Sequence, residues 1–314
     1  MLKQINSFLE KRMFYLTPIA VLIGLIFTSW LQMLVMLVPW IFAFITFVSS
    51  IGINSYQLKK SLARPLPILL TLFVLQIIMP IMAYGFGHIF FAHDHYTLVG
   101  IVIAFIIPTG VISLMWVSIY KGDLSISLLI VLMNTLMSPI LVPFSLQVLV
   151  GAHIEMNTWQ IMTSLFWMIV VPSLLGIVLS EFTLEKGREI KGYLSPFSKI
   201  GLFVVIAVNS SVAAPAFQLS WHLVKVGISV LVLAMLGYVI GVILAQWARL
   251  SDEVTISLLF NSGMRNISVG ATIAILYFPA QVSVPIVIGT LFQQTLAAFS
   301  GKLLNIFLQR RHGL

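Results

Sequence analysis

The stretch "FNSGMRN", residues 260–266, sits in a mostly apolar run from about 253 to 278. It brings together an arginine, Arg265, two amides, Asn261 and Asn266, and a glycine, Gly263. If this run crosses a bilayer, Arg265 is its most expensive residue, since Arg at the bilayer centre costs about 2.5–3.5 kcal/mol on insertion scales. Gly263 weakens the helix at the same place. A span that holds both a helix breaker and a charge must turn that point toward protein or water, because open backbone is not tolerated against lipid.

The composition places the run in a membrane. Of 314 residues 60% are hydrophobic and 8% charged, where a soluble chain carries about 25% charged residues. The mean hydropathy of +1.09 agrees. No cysteine is present, which removes disulfides, thiolate metal sites and a cysteine nucleophile from consideration. The net charge of +8 fits positive-inside loop bias rather than nucleic-acid binding. The opening "MLKQINSFLEKRMFYLTPIAVLIGLIF" lacks a small-residue cleavage site and is expected to remain as the first span.

With about 20 apolar residues per span, the fold class is an all-α polytopic membrane protein of ten transmembrane helices. They are expected near residues 14–29, 31–53, 65–84, 97–119, 124–149, 159–181, 198–217, 224–247, 253–278 and 281–308. Lys3, Lys11, Arg12, Lys59, Lys60, Arg64, Lys121, Lys186, Arg188, Lys191, Lys199, Arg249, Lys302, Arg310 and Arg311 then fall on one side, and Lys225 on the other. This asymmetry predicts a plasma (inner) membrane protein with both termini cytoplasmic. Residues 1–180 hold a first five-helix repeat plus span 6, 181–199 form a cytoplasmic linker, and 159–314 hold the second repeat within one transporter domain. Five spans per repeat force opposite orientations, the condition for an inverted repeat.

The polar interruptions fall at matching places: "IIPTGVIS" (106–113) in span 4 and "FNSGMRN" in span 9. Paired breaks of this kind point to a midplane binding site. Pro108 removes a backbone donor, and Gly110 and Gly263 loosen the helix, so these three are the expected crossing or hinge positions. Either break alone also reads as an ordinary kink. Asn261 and Arg265 stand four apart and are expected on one helical face. None of the nine acidic residues falls at mid-membrane depth in this topology. Arg265 must then meet carbonyls, amides, helix C-termini, water or an anion, and its planar fork suits carboxylate, sulfate or phosphate. A purely structural tie to backbone carbonyls is the alternative.

Further polar residues inside spans are Gln76, Ser113, Ser127, Asn134, Asn209 to Ser211, Gln293 and Gln294, each read as helix–helix contact or ligand contact. "HIFFAHDHY" (88–96) holds three histidines and an aspartate and reads as a solvated outer loop. Neither a metal nor a cofactor is expected. The absence of H-E-x-x-H, G-x-S-x-G and an intramembrane Asp pair argues against an enzyme.

"IIPTGVISLMWVSIYKGDLSISLLIVLMNTLMSPILVP" (106–143), "SGMRNISVGATIAILYFP" (262–279) and "LQIIMP" (75–80) together resemble the bile acid:sodium symporter family. The resemblance implies a core domain and a panel domain, with broken helices 4 and 9 crossing at the substrate site, and alternating access. Family members that couple to sodium hold two ions around these crossings. Carried over by position, Gln76, Ser113 and Ser127 keep ligand types, while Leu114 and Val131 replace an asparagine and a threonine. Asn261 stands where the family has a glutamate, and Arg265 where it has a glutamine. Asn266 keeps an asparagine placed near substrate.

A guanidinium about 4 Å from a sodium ion repels it by roughly 4 kcal/mol at an effective dielectric of 20, about a thousandfold in affinity. The expectation is a secondary carrier for small or amphipathic organic anions, with the lipid bilayer as its other partner and Arg265 as a built-in cation in place of sodium. Its substrate-binding residues would be Arg265, Asn266, Asn261, Thr109, Ser113, Asn209 and Gln293. Uniport, anion exchange and co-transport of a substrate proton stay open. The alternatives are a sodium-coupled symporter whose ligands have moved to Asn261, Gln293 or Asn134, and a sensor built on a transporter fold.

Overall fold

The computed structural model describes residues 2–53, 64–151, 156–183, 185–217 and 220–311. Lys59, Lys60 and Glu155 lie outside the described residues, as do the side chains of Lys3, Lys11, Arg188, Glu10 and Glu185. All regular structure among the described residues is helical. In chain order the helices are α1 (Leu2–Ile26), α2 (Thr28–Ser50), α3 (Pro65–Phe91), α4 (His95–Ile106), α5 (Ile112–Ile119) and α6 (Leu124–Val150). They continue with α7 (Thr158–Thr183), α8 (Glu185–Ala213), α9 (Trp221–Trp247), α10 (Asp252–Gly263), α11 (Ile267–Tyr277) and α12 (Ala280–Arg311).

Seven of these, α2, α3, α6, α7, α8, α9 and α12, are long and apolar enough to cross a membrane. Their outward faces carry Trp30, Trp40, Trp167 and Trp247, all more than half exposed, as expected for side chains facing lipid and its interface. Together with the many apolar helices this describes an integral membrane protein. Three expected spans take another form. The apolar part of α1 is short, Tyr15–Ile26. Spans 4 and 9 are each split, into α4 and α5 and into α10 and α11. The stretch 181–199, expected as a linker, is helical from Glu185 and runs straight into the seventh span.

Local chemistry explains several helix ends. Asp94 caps α4 by accepting from Thr97 N at 3.1 Å, and Asp123 caps α6 by accepting from Ser125 N and Ile126 N, both at 3.0 Å. Asp252 and Glu253 place negative charge in the first turn of α10, where the helix dipole favours it. Lys121 and Arg249 adopt positive φ (61° and 51°) just before α6 and α10, letting the chain turn sharply back into the bundle. The expected 88–96 loop is helical except for residues 92–94, and Asp94 there also pairs with His222 Nε2 at 3.1 Å, tying this turn to α9. No group of three or more His, Cys, Asp or Glu among the described residues could hold a metal ion.

In the packing, α1 lies along α8, and α2 contacts α7 and α8. Elsewhere α4 packs on α3 and α12, α9 on α10, and α11 on α12. The two broken pairs meet inside the second group.

Candidate functional site

Each break is short and extended. Ile107 leaves α4 with φ −62° and ψ 152°, and Met264 leaves α10 with φ −96° and ψ 139°. The two breaks bond to each other: Asn266 N donates to Pro108 O at 2.8 Å, and Thr109 Oγ1 donates to Met264 O at 3.0 Å. Gln293 Nε2 on α12 donates to Arg265 O at 2.6 Å. Open backbone at this depth is therefore covered by protein, as burial among apolar helices requires. The glycines serve close approach rather than unusual dihedrals. A Cβ on Gly110 would lie 3.1 Å from Arg265 O, and one on Gly263 would overlap the Tyr238 ring.

Arg265 is 4% exposed and lies in the break, past the end of α10. This corrects the expectation that it shares a helical face with Asn261, because the helix does not continue to residue 265. Its Nε donates to Phe105 O at 3.3 Å, and its Nη1 to Ser262 O at 2.9 Å and Met264 O at 3.5 Å. Phe105 is in the last turn of α4 and Ser262 in the last turn of α10. A fixed positive charge thus sits where two helix C-termini bring partial negative charge together, and it satisfies carbonyls that the breaks leave without helical partners. Arg265 Nη2 has no protein partner. It and the similarly unpartnered Tyr238 hydroxyl border a small chamber of about 30 Å³, room enough for a water.

The sodium-site equivalents divide into two clusters. Ser113 Oγ donates to Asn261 Oδ1 at 3.0 Å, and Asn261 Nδ2 donates to Ser257 O at 2.8 Å. This first cluster is closed on itself. In the second, Gln76 Nε2 donates to Asn134 Oδ1, joining α3 to α6. Gln76 lies in a π-helical turn, Val74–Ile78, a local bulge that often marks functional sites. Gln76 Oε1, Asn134 Nδ2 and Ser127 Oγ are buried with no protein partner. Leu114 and Val131 line the main cavity instead of completing either polar cluster. Asn209 reaches α11 through Ser268 O and Thr272 Oγ1, both at 3.4 Å.

That main cavity measures about 470 Å³, within the range of small-molecule sites. Gly110, Ile112, Arg265, Asn266, Ser268 and Gln293 form its inner end, where the N-termini of α5 and α11 begin. Of the residues read from the sequence as substrate contacts, Arg265, Asn266 and Gln293 border the cavity, while Thr109, Ser113, Asn261 and Asn209 brace the residues around it. Sequence reasoning missed Lys191 and Lys199, which also line the cavity. Their recurrence with Ser195 at a spacing of four was the available signal, hidden because the segment was taken as a linker.

Residues 39–219 match the model of the Sodium Bile acid symporter family. The chain is 43% identical to "Uncharacterized protein YbaS" of Bacillus subtilis (strain 168) over 93% of this chain and 96% of that protein. It is 21% identical to "Uncharacterized sodium-dependent transporter YocS" of the same organism, over 79% of each chain.

Proposed function

The chain belongs to the Sodium Bile acid symporter family, and from this we propose that it is an alternating-access carrier of organic anions in which Arg265 replaces the sodium ions at the crossing. The observation that carries the reading is the bonding of the guanidinium to the Phe105, Ser262 and Met264 carbonyls. In secondary transporters with broken helices, backbone carbonyls freed at the breaks can coordinate the coupling cation. Here a tethered cation takes them. Asn261, with no carboxylate to offer, is already engaged by Ser113 and Ser257. The positive charge favours an anion at the inner end of the cavity, beside the N-termini of α5 and α11.

The architecture that suits this activity is ten spans in two inverted five-span repeats, with cytoplasmic termini in the plasma membrane. Seven long helices, the split pairs α4/α5 and α10/α11, and α1 supply that number. The packing of α1 and α2 on α8, and of α2 on α7, supports a panel that rocks against a core, with α8 reaching α11 through Asn209.

A second reading has its own observation. Gln76 Oε1 and Ser127 Oγ are buried oxygens without protein partners, ligand types that a sodium ion accepts, and one relative is named as a sodium-dependent transporter. A sodium-coupled symporter would then use Gln76 Oε1 on α3 or Ser127 Oγ, about two turns from Asn134 on α6, as an ion ligand. The two readings separate in a thermal-shift screen of organic anions with and without sodium. An anion that stabilises the wild type without sodium, but not Arg265→Gln, supports the built-in cation. Stabilisation that needs sodium and is lost in Ser127→Ala supports the second reading.

A further inference from the structure

The chamber of about 30 Å³ beside Arg265 is distinct from the main cavity. Arg265, Ile267 and Gln293 line both and form the partition between them. The other walls come from α4, α9 and α12, which present Ala104, Val230, Ala234 and Ile286. Two polar atoms at this apolar surface have no protein partner, Arg265 Nη2 and the Tyr238 hydroxyl. Their residues are 4% and 2% exposed, so bulk water does not reach them. Both can donate. A guanidinium has donors and no acceptor, and a hydroxyl turns its hydrogen toward whatever lies beside it.

The charge of Arg265 is as poorly matched as its Nη2. Its bonds go to three neutral carbonyls, those of Phe105, Ser262 and Met264. Among the described residues, no Asp or Glu lines either the chamber or the cavity. The two helix C-termini give the guanidinium fractional charges and no formal one. A full charge among apolar helices is costly unless it is paired. The size of the chamber then selects the partner. Space for about one or two waters takes a monatomic ion and is too small for sulfate or for a carboxylate with its chain. A water would satisfy both donors, but its own two hydrogens would need acceptors. The side chains around it are apolar apart from Gln293, whose Nε2 is held by Arg265 O. A halide accepts from both donors, asks for no acceptor in return and carries the missing negative charge.

We infer that the chamber is a halide site, in which chloride accepts hydrogen bonds from Arg265 Nη2 and the Tyr238 hydroxyl and acts as the counter-ion of the crossing. The organic anion proposed above approaches from the cavity side. The two sites share one guanidinium and occupy separate spaces, so the halide site goes beyond that reading and does not rest on it.

The test titrates radiolabelled chloride onto the purified full-length protein, prepared in sodium sulfate, in a scintillation proximity assay. Saturable binding of one chloride per chain is expected, displaced by bromide and not by sulfate. Tyr238→Phe keeps the ring, removes one donor and should weaken chloride binding about tenfold. Arg265→Gln should abolish it. The Tm of each variant in sulfate checks its fold independently of the ion, and Tyr238→Phe carries the test if Arg265→Gln does not fold. No bound chloride up to physiological ionic strength, about 0.15 M, overturns the inference and leaves the chamber to water. Chloride binding that Tyr238→Phe leaves unchanged also overturns it, because the ion then sits elsewhere. Chloride binding without any organic-anion binding supports the halide site and overturns only the carrier reading.

Discussion

The crossing and the α3–α6 cluster are both polar groups buried among apolar helices, and they are satisfied in different ways. At the crossing, Arg265, Thr109, Gln293 and the Asn266 amide supply donors to the carbonyls of Phe105, Ser262, Met264, Arg265 and Pro108. Between α3 and α6, Gln76 and Asn134 share a single bond, and Gln76 Oε1 and Asn134 Nδ2 have no protein partner. An unsatisfied buried polar group costs about 1–3 kcal/mol. The crossing therefore meets its open carbonyls with its own donors, leaving Arg265 Nη2 and Ser262 Oγ over. The α3–α6 cluster keeps unused hydrogen-bonding capacity, which is the chemistry of a site that something else fills.

The contrast can be broken most severely at Arg265. Arg265→Ala leaves the Phe105 and Ser262 carbonyls without this donor, and each buried acceptor left unsatisfied costs about 1–3 kcal/mol. The expected outcome is complete loss of uptake in proteoliposomes, with folded protein still recovered on size-exclusion chromatography. Failure to fold would instead mark Arg265 as a structural tie only. Next in size is Gly263→Ala, whose new Cβ would overlap the Tyr238 ring. Overpacking of this kind costs about 1–3 kcal/mol, readable as a lowered Tm together with weakened transport.

The α3–α6 cluster offers a smaller effect of opposite sign. Replacing both partners of a buried polar pair by apolar groups is close to neutral or stabilising when nothing else binds there. Gln76→Leu with Asn134→Leu should then keep or raise the Tm and leave anion binding intact. A loss of sodium-dependent binding in the same double variant would assign the cluster to an ion. Smallest is Tyr238→Phe, which deletes a buried hydroxyl without a protein partner. It should leave stability unchanged or slightly raised, since an unpaired buried hydroxyl is removed, measured by thermal unfolding in chloride-free buffer.

The breaks were legible in the sequence because Pro108, Gly110 and Gly263 announce them. The sequence also places no carboxylate in the middle of an expected span, which left carbonyls among the few possible partners for Arg265. Which carbonyls could not be read, since backbone acceptors have no sequence signature and depend on how two separate breaks cross. The shared face of Asn261 and Arg265 failed for the same reason, since the spacing rule holds only while the helix continues. The π-turn at Gln76 is a one-residue change in backbone register that side-chain identity does not announce. Lys191 and Lys199 were visible only as loop charges until 185–213 proved helical and set them on one face.

The most direct test is uptake of a bound organic anion into proteoliposomes with and without an inward sodium gradient, for the wild type and Arg265→Gln. A tethered cation at the crossing predicts wild-type uptake that is indifferent to sodium and lost in Arg265→Gln. Steep sodium-driven uptake that survives Arg265→Gln unchanged would contradict it.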